Sequence, residues 1–409
     1  MAQEPLEELL GRHLVRAKQP LRVYVLNTGG TITSVLDEEG HLTPANSEHM
    51  LNHLIMEMLG FKAYVDSGLL ALRINHLFAI DSSQMQNEHR QKVAEELREN
   101  YRQYDGAVIF HGTDTGDRTA KFLHLALPYY DPIALWQNQT KVPNYCKPVV
   151  VVSSQISLLN ERGALRIDSD GMMNVAVAAN LIAQGEIGES GILANKEDII
   201  RGTAATKGSE TELPVYLLDR GVPPIGRYAS DGIHYTTGAY LPKRETDDSK
   251  KPLSLENVSA HENKVLVAFD PQHLNSLRDY FRAKAERRDE IEKFLKEGLP
   301  EIVIYVSKGA GNVEGRDYSV LERAVRELNL SVFRVPIPGG RIPDRQIYAV
   351  PGHDLPAVNM QPTTAEYKAM MTLSLADSLR IEQGRRREFI RYMMTQQWGN
   401  EILPPRFTI

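Results

Sequence analysis

One cysteine in 409 residues, Cys146, leaves no disulfide framework and no cysteine-rich metal site, and it fits a reducing compartment. Positive charge is not in excess either. Forty-seven Lys+Arg stand against 53 Asp+Glu, a formal net charge of −6, where a nucleic-acid scaffold would carry a basic surplus. No apolar run approaches the roughly 18 residues of a membrane span. The opening MAQEPLEELLGRHLVRAK is too charged for a secretory signal. Fixed-period repeats and low-complexity tracts are also missing. These absences lead to the expectation of a soluble, cytoplasmic protein with neither nucleic acid nor membrane as a partner. An apolar content of 42% with 24% charged residues is ordinary globular composition and excludes wholesale disorder. At roughly 100–200 residues per domain, the length predicts two domains.

What is present is an alternation. Short β-branched runs at 23–26, 107–110 and 149–152 are apolar on both faces, as central strands of a parallel sheet are. Between them, 86–104 is charged and helix-forming, and 174–183 is Ala-rich and apolar. The order strand, loop, helix predicts an α/β fold with helices on both faces of a mostly parallel sheet. Residues 228–262 are polar and turn-rich, and read as an insertion or linker. Beyond them the alternation resumes. Strands are expected at 265–269, 302–306 and 331–335, and helices over 274–296, near 318–327 and near 364–375. The expected division is an extension at 1–20, a larger domain at 21–227, the linker, a smaller α/β domain at 263–380 and a helical tail at 381–409.

Four of the apolar strands end in short polar side chains. The first runs into Thr28-Gly29-Gly30-Thr31, where two glycines let the backbone turn sharply and approach a ligand. The run at 107–110 leads into HGTDTGD, which carries Thr113 and Asp114. Residues 76–80 lead into Asp81-Ser82-Ser83-Gln84, and 149–152 into Ser153-Ser154-Gln155. Read alone, each is equally a capped turn, since Ser, Thr and Asp are common N-caps. A phosphate loop is excluded at 28–31, because its lysine and spacing are missing. Carboxyl ends of parallel strands are where open α/β sheets bind ligands, so four hydroxyl-rich ends on one sheet suit a small polar ligand.

TGGTI at 28–32 and HGTDT at 111–115 resemble the two signature motifs of the bacterial L-asparaginase family. The similarity continues in the family's order through DSS at 81–83, SDGMMN at 169–174, RGTAATK at 201–207 and GAGNV at 309–313. It covers most of the chain from 21 to about 380. The resemblance implies hydrolysis of L-asparagine to L-aspartate and ammonia, with L-glutamine as a second candidate substrate, without metal or organic cofactor. It makes Thr31 the nucleophile, and Thr113, Asp114 and Lys207 a second constellation. Ser82 and Ser83 then grip the substrate's amino-acid end, with Thr31, Thr113 and Asp114 also in contact. A threonine hydroxyl needs a neighbour to take its proton. Lys207 serves if burial holds its amine neutral, whereas Asp114 beside it favours the ammonium.

The chain departs from the family in three places. The loop after the nucleophile, SVLDEEGHLTPANS, lacks the family's tyrosine, and His41 stands roughly in its place as the candidate lid residue. Ser154 replaces a usual glycine, and the chain is some tens of residues longer than typical members. The resemblance further implies a Rossmann-like smaller domain and a homodimer or homotetramer, with Gly309 to Asn312 reaching a partner's pocket. Two other readings fit the same motifs. One is a catalytically silent binding or regulatory protein. The other is the amidase subunit of a tRNA-dependent amidotransferase, which normally has a further N-terminal domain, whereas 27 residues precede Thr28 here.

Overall fold

The computed structural model describes residues 19–402, apart from 37–38, 40, 45–47, 129–130, 139–145, 161–163, 220, 238–241, 245, 247–251, 253–254, 256, 270, 287–297, 309–311, 339, 341, 343–354 and 400. It falls into two compact units, Met1–Tyr129 with Pro143–Ser254, and Tyr130–Val142 with Leu255–Ile409.

The first unit opens with β1 (Leu21–Gly29), a short antiparallel hairpin of β2 (Ser34–Leu36) and β3 (Leu42–Pro44), and β4 (Leu70–Ile80). Next come β5 (Gly106–Phe110), β6 (Val149–Val152), β7 (Ile192–Asn195) and β8 (Asp198–Arg201). A separate antiparallel pair, β9 (Ala205–Lys207) and β10 (Tyr216–Leu218), precedes β11 (Gly226–Ala229) and β12 (Gly232–Tyr235). The main sheet has the order β12-β11-β8-β7-β6-β5-β1-β4. From β4 to β7 the strands are parallel, and the three beyond are antiparallel.

Both faces of this sheet are covered, which is why its central strands are apolar throughout. Val23 and Val25 point to one side, where Leu51, Phe61, Val175 and Ile182 from the helices Glu48–Glu57, Leu59–Asp66 and Asp170–Gln184 pack on them. Tyr24, between the two valines, points to the other side and hydrogen-bonds Glu96 of the helix Asn87–Glu99. Each fully buried valine contributes about 1.5–3 kcal/mol of transfer free energy. β1 has β4 on one side and β5 on the other, so the strand order reverses between β1 and β5. In open α/β sheets that reversal opens a crevice at the carboxyl ends of the two strands.

The second unit is smaller: β13 (Val265–Ala268), β14 (Ile302–Ser307) and β15 (Ser331–Pro336) form a parallel three-stranded sheet. Alternate residues of β14 face opposite cores. Val303 and Tyr305 meet Leu277 and Leu321 of the helices Asn275–Ala285 and Gly315–Glu327, while Ile302, Ile304 and Val306 meet Leu373 and Ile390 of Pro362–Ser378 and Gln383–Thr395. Among the described residues, no helix is long and apolar enough to cross a membrane.

Three expected boundaries move. Of the linker expected at 228–262, residues 228–235 belong to the large sheet, because β11 and β12 complete it; the local signal is Asp231-Gly232 at the hairpin turn, with Gly232 at φ 122°. The helix Gln383–Thr395 is core of the second unit rather than a tail, with Ile390 and Met394 fully packed. Residues 130–142 also leave the first unit: Trp136 packs edge-on against Phe389 and Tyr392, whose hydroxyl donates to Leu135 O at 2.6 Å.

Candidate functional site

The carboxyl end of β1 is shaped by Asn27, a residue that no motif in the sequence singles out. Its buried Oδ1 accepts from Gly29 N (3.1 Å) and from the Thr33 hydroxyl (3.2 Å). Thr28 donates to Phe110 O at 2.7 Å and so ties the turn to β5. Gly29 and Gly30 hold φ 94° and 83°, where a side chain is strained. They are also needed for contact: a Cβ on Gly30 would lie 2.2 Å from Gly112 N, and one on Gly112 would lie 2.3 Å from Ser82 Oγ. The ends of β1, β5 and β4 therefore touch one another closely, one residue before Thr31 and Thr113. Thr31 is partly exposed at the start of the turn Thr31–Thr33, while Thr113 and Ser82 are buried. Ser83 and Asp114 are exposed. The Thr115 hydroxyl donates to Ser82 O at 2.8 Å, which joins the β4 and β5 turns a second time.

Lys207 reaches this cluster from β9, with Nζ 2.5 Å from Asp114 Oδ1 and in hydrogen-bond contact with Glu210. Burial pulls the ammonium toward neutrality, but the hydrogen bonds and charges of Asp114 and Glu210 outweigh it and raise the Lys207 pKa above its ordinary value. The competition left open by sequence is thus decided for the carboxylates, and Lys207 rests as an ammonium. Glu210 was missed, although its position three residues after Lys207 was visible. Tyr216, paired with Lys207 across the β9–β10 ladder, places its hydroxyl 3.2 Å from Thr113 O and 3.1 Å from Ser153 Oγ.

Behind Thr113, His111 is fully buried and lies 2.8 Å from Gly112 O through Nδ1 and 2.8 Å from the Thr119 hydroxyl through Nε2. Burial drives its pKa down to about 4, so the ring is neutral; the carbonyl requires Nδ1–H, and Nε2 accepts from Thr119.

The fourth strand end contributes Ser153 to the Tyr216 contact, whereas the Ser154 hydroxyl is buried without a hydrogen-bond partner among the described residues. Within the loop expected after Thr31, Ser34–Leu36 and Leu42–Pro44 pair as the β2–β3 hairpin. It is anchored by Ser34 Oγ on Gly30 O (2.8 Å) and Ser157 Oγ on Ser34 O (2.5 Å), and His41 is exposed just before β3. Of the expected Gly309 to Asn312 turn, residues 309–311 lie outside the described residues, and Asn312 exchanges backbone hydrogen bonds with Lys308 at 3.0 and 3.3 Å.

Fold and site together define an α/β protein whose polar strand ends meet at the carboxyl ends of β1, β5 and β4. Residues 22–240 match the family model described as Asparaginase, N-terminal, and the chain belongs to the asparaginase family. The chain is 32% identical to L-asparaginase 1 of Escherichia coli strain K12 over 223 residues, 53% of this chain and 55% of that protein, and so spans about half the length of this curated relative. It is 26% identical to a glutamyl-tRNA(Gln) amidotransferase subunit of Thermococcus kodakarensis over 400 residues, 93% of this chain and 76% of that protein. Among solved structures, L-asparaginase I of Vibrio cholerae matches with TM-score 0.66 and 21% identity, covering 94% of this chain and all of the other. The thermostable L-asparaginase of Thermococcus kodakarensis matches with TM-score 0.63 and 20% identity at the same coverage. Both share the fold.

Proposed function

We propose that the protein hydrolyses the side-chain amide of L-asparagine to L-aspartate and ammonia, with L-glutamine as a second candidate substrate. The observation that carries this is the contact of the two glycine turns, which brings Thr31 and Thr113 to one crevice with the Asp114–Lys207 pair beside them. In this reading the Thr31 hydroxyl attacks the amide carbon and gives up its proton, and that proton is returned to the amide nitrogen as the C–N bond breaks, so that ammonia leaves and Thr31 holds the acyl group as an ester. Water then cleaves the Thr31 ester. The oxyanion falls to backbone N–H groups other than those of Gly29 and Gly30, which already donate to Asn27 Oδ1 and Ile80 O. Ser82, Ser83 and Asp114 hold the substrate's carboxylate and amino end, and Thr113 with Lys207 handles the proton. The substrate-binding set and the oligomer, a homodimer or a tetramer built from two, are part of the same proposal.

An ammonia-release assay with asparagine, glutamine and buffer alone tests it. Tight asparagine binding by calorimetry without ammonia would replace it with a silent binder. The amidotransferase reading gains weight from the alignment with the Thermococcus amidotransferase protein over 93% of this chain. It calls for ammonia release that depends on an added partner and tRNA, and release by the isolated chain argues against it.

A further inference from the structure

Glu210 has no part in the hydrolysis described above. It nevertheless hydrogen-bonds the same Lys207 Nζ that Asp114 Oδ1 approaches at 2.5 Å. The two carboxylates differ in setting. Asp114 stands at the end of β5 with its side chain 43% exposed, while Glu210 follows β9 and is 78% exposed. We propose that Glu210 is a second acidic partner of Lys207 that sets how readily the amine takes the proton of Thr113, and hence how activity climbs with pH. The proposal rests on the amidohydrolase reading.

The argument follows from proton balance. When Thr113 gives up its proton, an O–H bond breaks and an N–H bond forms on Lys207, so Lys207 must first be the neutral amine. Each adjacent carboxylate favours the ammonium instead. Among the described residues, the groups set against Lys207 come from three elements. Asp114 comes from the β5 turn, Glu210 from the turn after β9, and Tyr216 from the paired strand β10; the Asp117–Lys121 pair bonds Ala205, two residues before Lys207. Among the described residues only Asp114 and Glu210 are shown on Nζ. Asp114 is also assigned to the substrate's amino group, so its charge is committed. Glu210 can tune the lysine without touching substrate. Because it is mostly in water, its influence is that of a surface pair, modest and screened by salt.

The test is Glu210→Gln, with kcat/KM for asparagine followed across pH. On the limb where activity climbs with pH, the variant should be about two- to fivefold more active than wild type at any fixed pH, the scale of an exposed ion pair. The two profiles should converge where the amine is fully deprotonated, and KM should stay put. Salt near 1 M should move wild type toward the variant and leave the variant nearly unmoved. Superimposable profiles overturn the proposal, and so does an equal loss at every pH, which would make Glu210 a binding residue. A second measurement needs no turnover: the Lys207 Cε resonance, assigned through Lys207→Met in lysine-labelled protein, should titrate at lower pH in Glu210→Gln. If wild type releases no ammonia, the amidohydrolase reading falls while this titration still decides Glu210. An unmoved midpoint refutes its action on Lys207.

Discussion

Lys121 and Ala205 join the helix Gly116–Ala126 to the strand that carries Lys207. The buried Nζ donates to the Ala205 carbonyl oxygen at 2.5 Å while it also meets Asp117 Oδ2 at 2.7 Å. Lys121→Met would leave the Asp117 carboxylate buried and unpaired, at a cost of about 3–5 kcal/mol in a urea melt. The double variant Asp117→Asn/Lys121→Met should regain much of that stability. It should still turn over poorly, because the bond that ties the helix to Ala205 is gone. A double variant with full activity would show that the tie is only structural.

The two threonines should be jointly indispensable. Thr31→Ala and Thr113→Ala are each expected to lower kcat by ~10³ or more, since groups that act as a unit are strongly non-additive. Lys207→Met should keep substrate binding and lose turnover by roughly 10²–10⁴, the range of general acid–base catalysis. Asp114→Ala should weaken binding as well. A folded variant of either threonine with near wild-type turnover would reduce that residue to a turn former.

Two glycines at similar φ allow strain to be separated from contact. Gly221 has φ 81° and open space around its Cβ position, whereas Gly30 has φ 83° and Gly112 N at 2.2 Å. Gly221→Ala should therefore cost only the left-handed backbone term of about 1–2 kcal/mol. Gly30→Ala should cost more in thermal denaturation and abolish ammonia release, because the β1 and β5 turns must part. Equal effects at the two positions would mean that the turns are not held in contact in solution.

His111 should make stability depend on acid. Its folded pKa of about 4 lies below the ordinary histidine value, so the unfolded chain binds the extra proton first. Its contribution is complete above pH ~6.5 and is lost as pH falls toward 4, about 3 kcal/mol in all. His111→Gln should flatten the pH dependence of the urea midpoint in that window. An unchanged slope would place the acid sensitivity elsewhere.

His41 is exposed just before β3, in the hairpin that follows Thr31. We propose that His41 takes the lid role that the family resemblance gives to a loop tyrosine. His41→Ala should lower kcat for asparagine, and a structure with aspartate should show the hairpin drawn over Thr31. Full activity in the variant, with an unmoved hairpin, would make His41 a bystander.

Much of this protein was legible before any fold was known. The strands at 23–26, 107–110 and 149–152 were visible because a sheet covered on both faces needs apolar residues at every position, and that requirement is local. The same holds for Thr28 to Thr31: a turn at φ 94° and 83° in close contact with another backbone tolerates only glycine, so the motif records its own geometry. The Asp231-Gly232 hairpin is equally local, and it carries the large sheet past the boundary expected at 227. Other features had no local trace. Tyr216 meets Thr113 across 103 positions and Lys121 meets Ala205 across 84, and periodicity says nothing about which distant side chains share a crevice. The charge on Lys207 was also a tertiary matter. Burial and carboxylates act on it in opposite directions, and only the distances to Asp114 and Glu210, set by how β5 and β9 come together, decide which prevails.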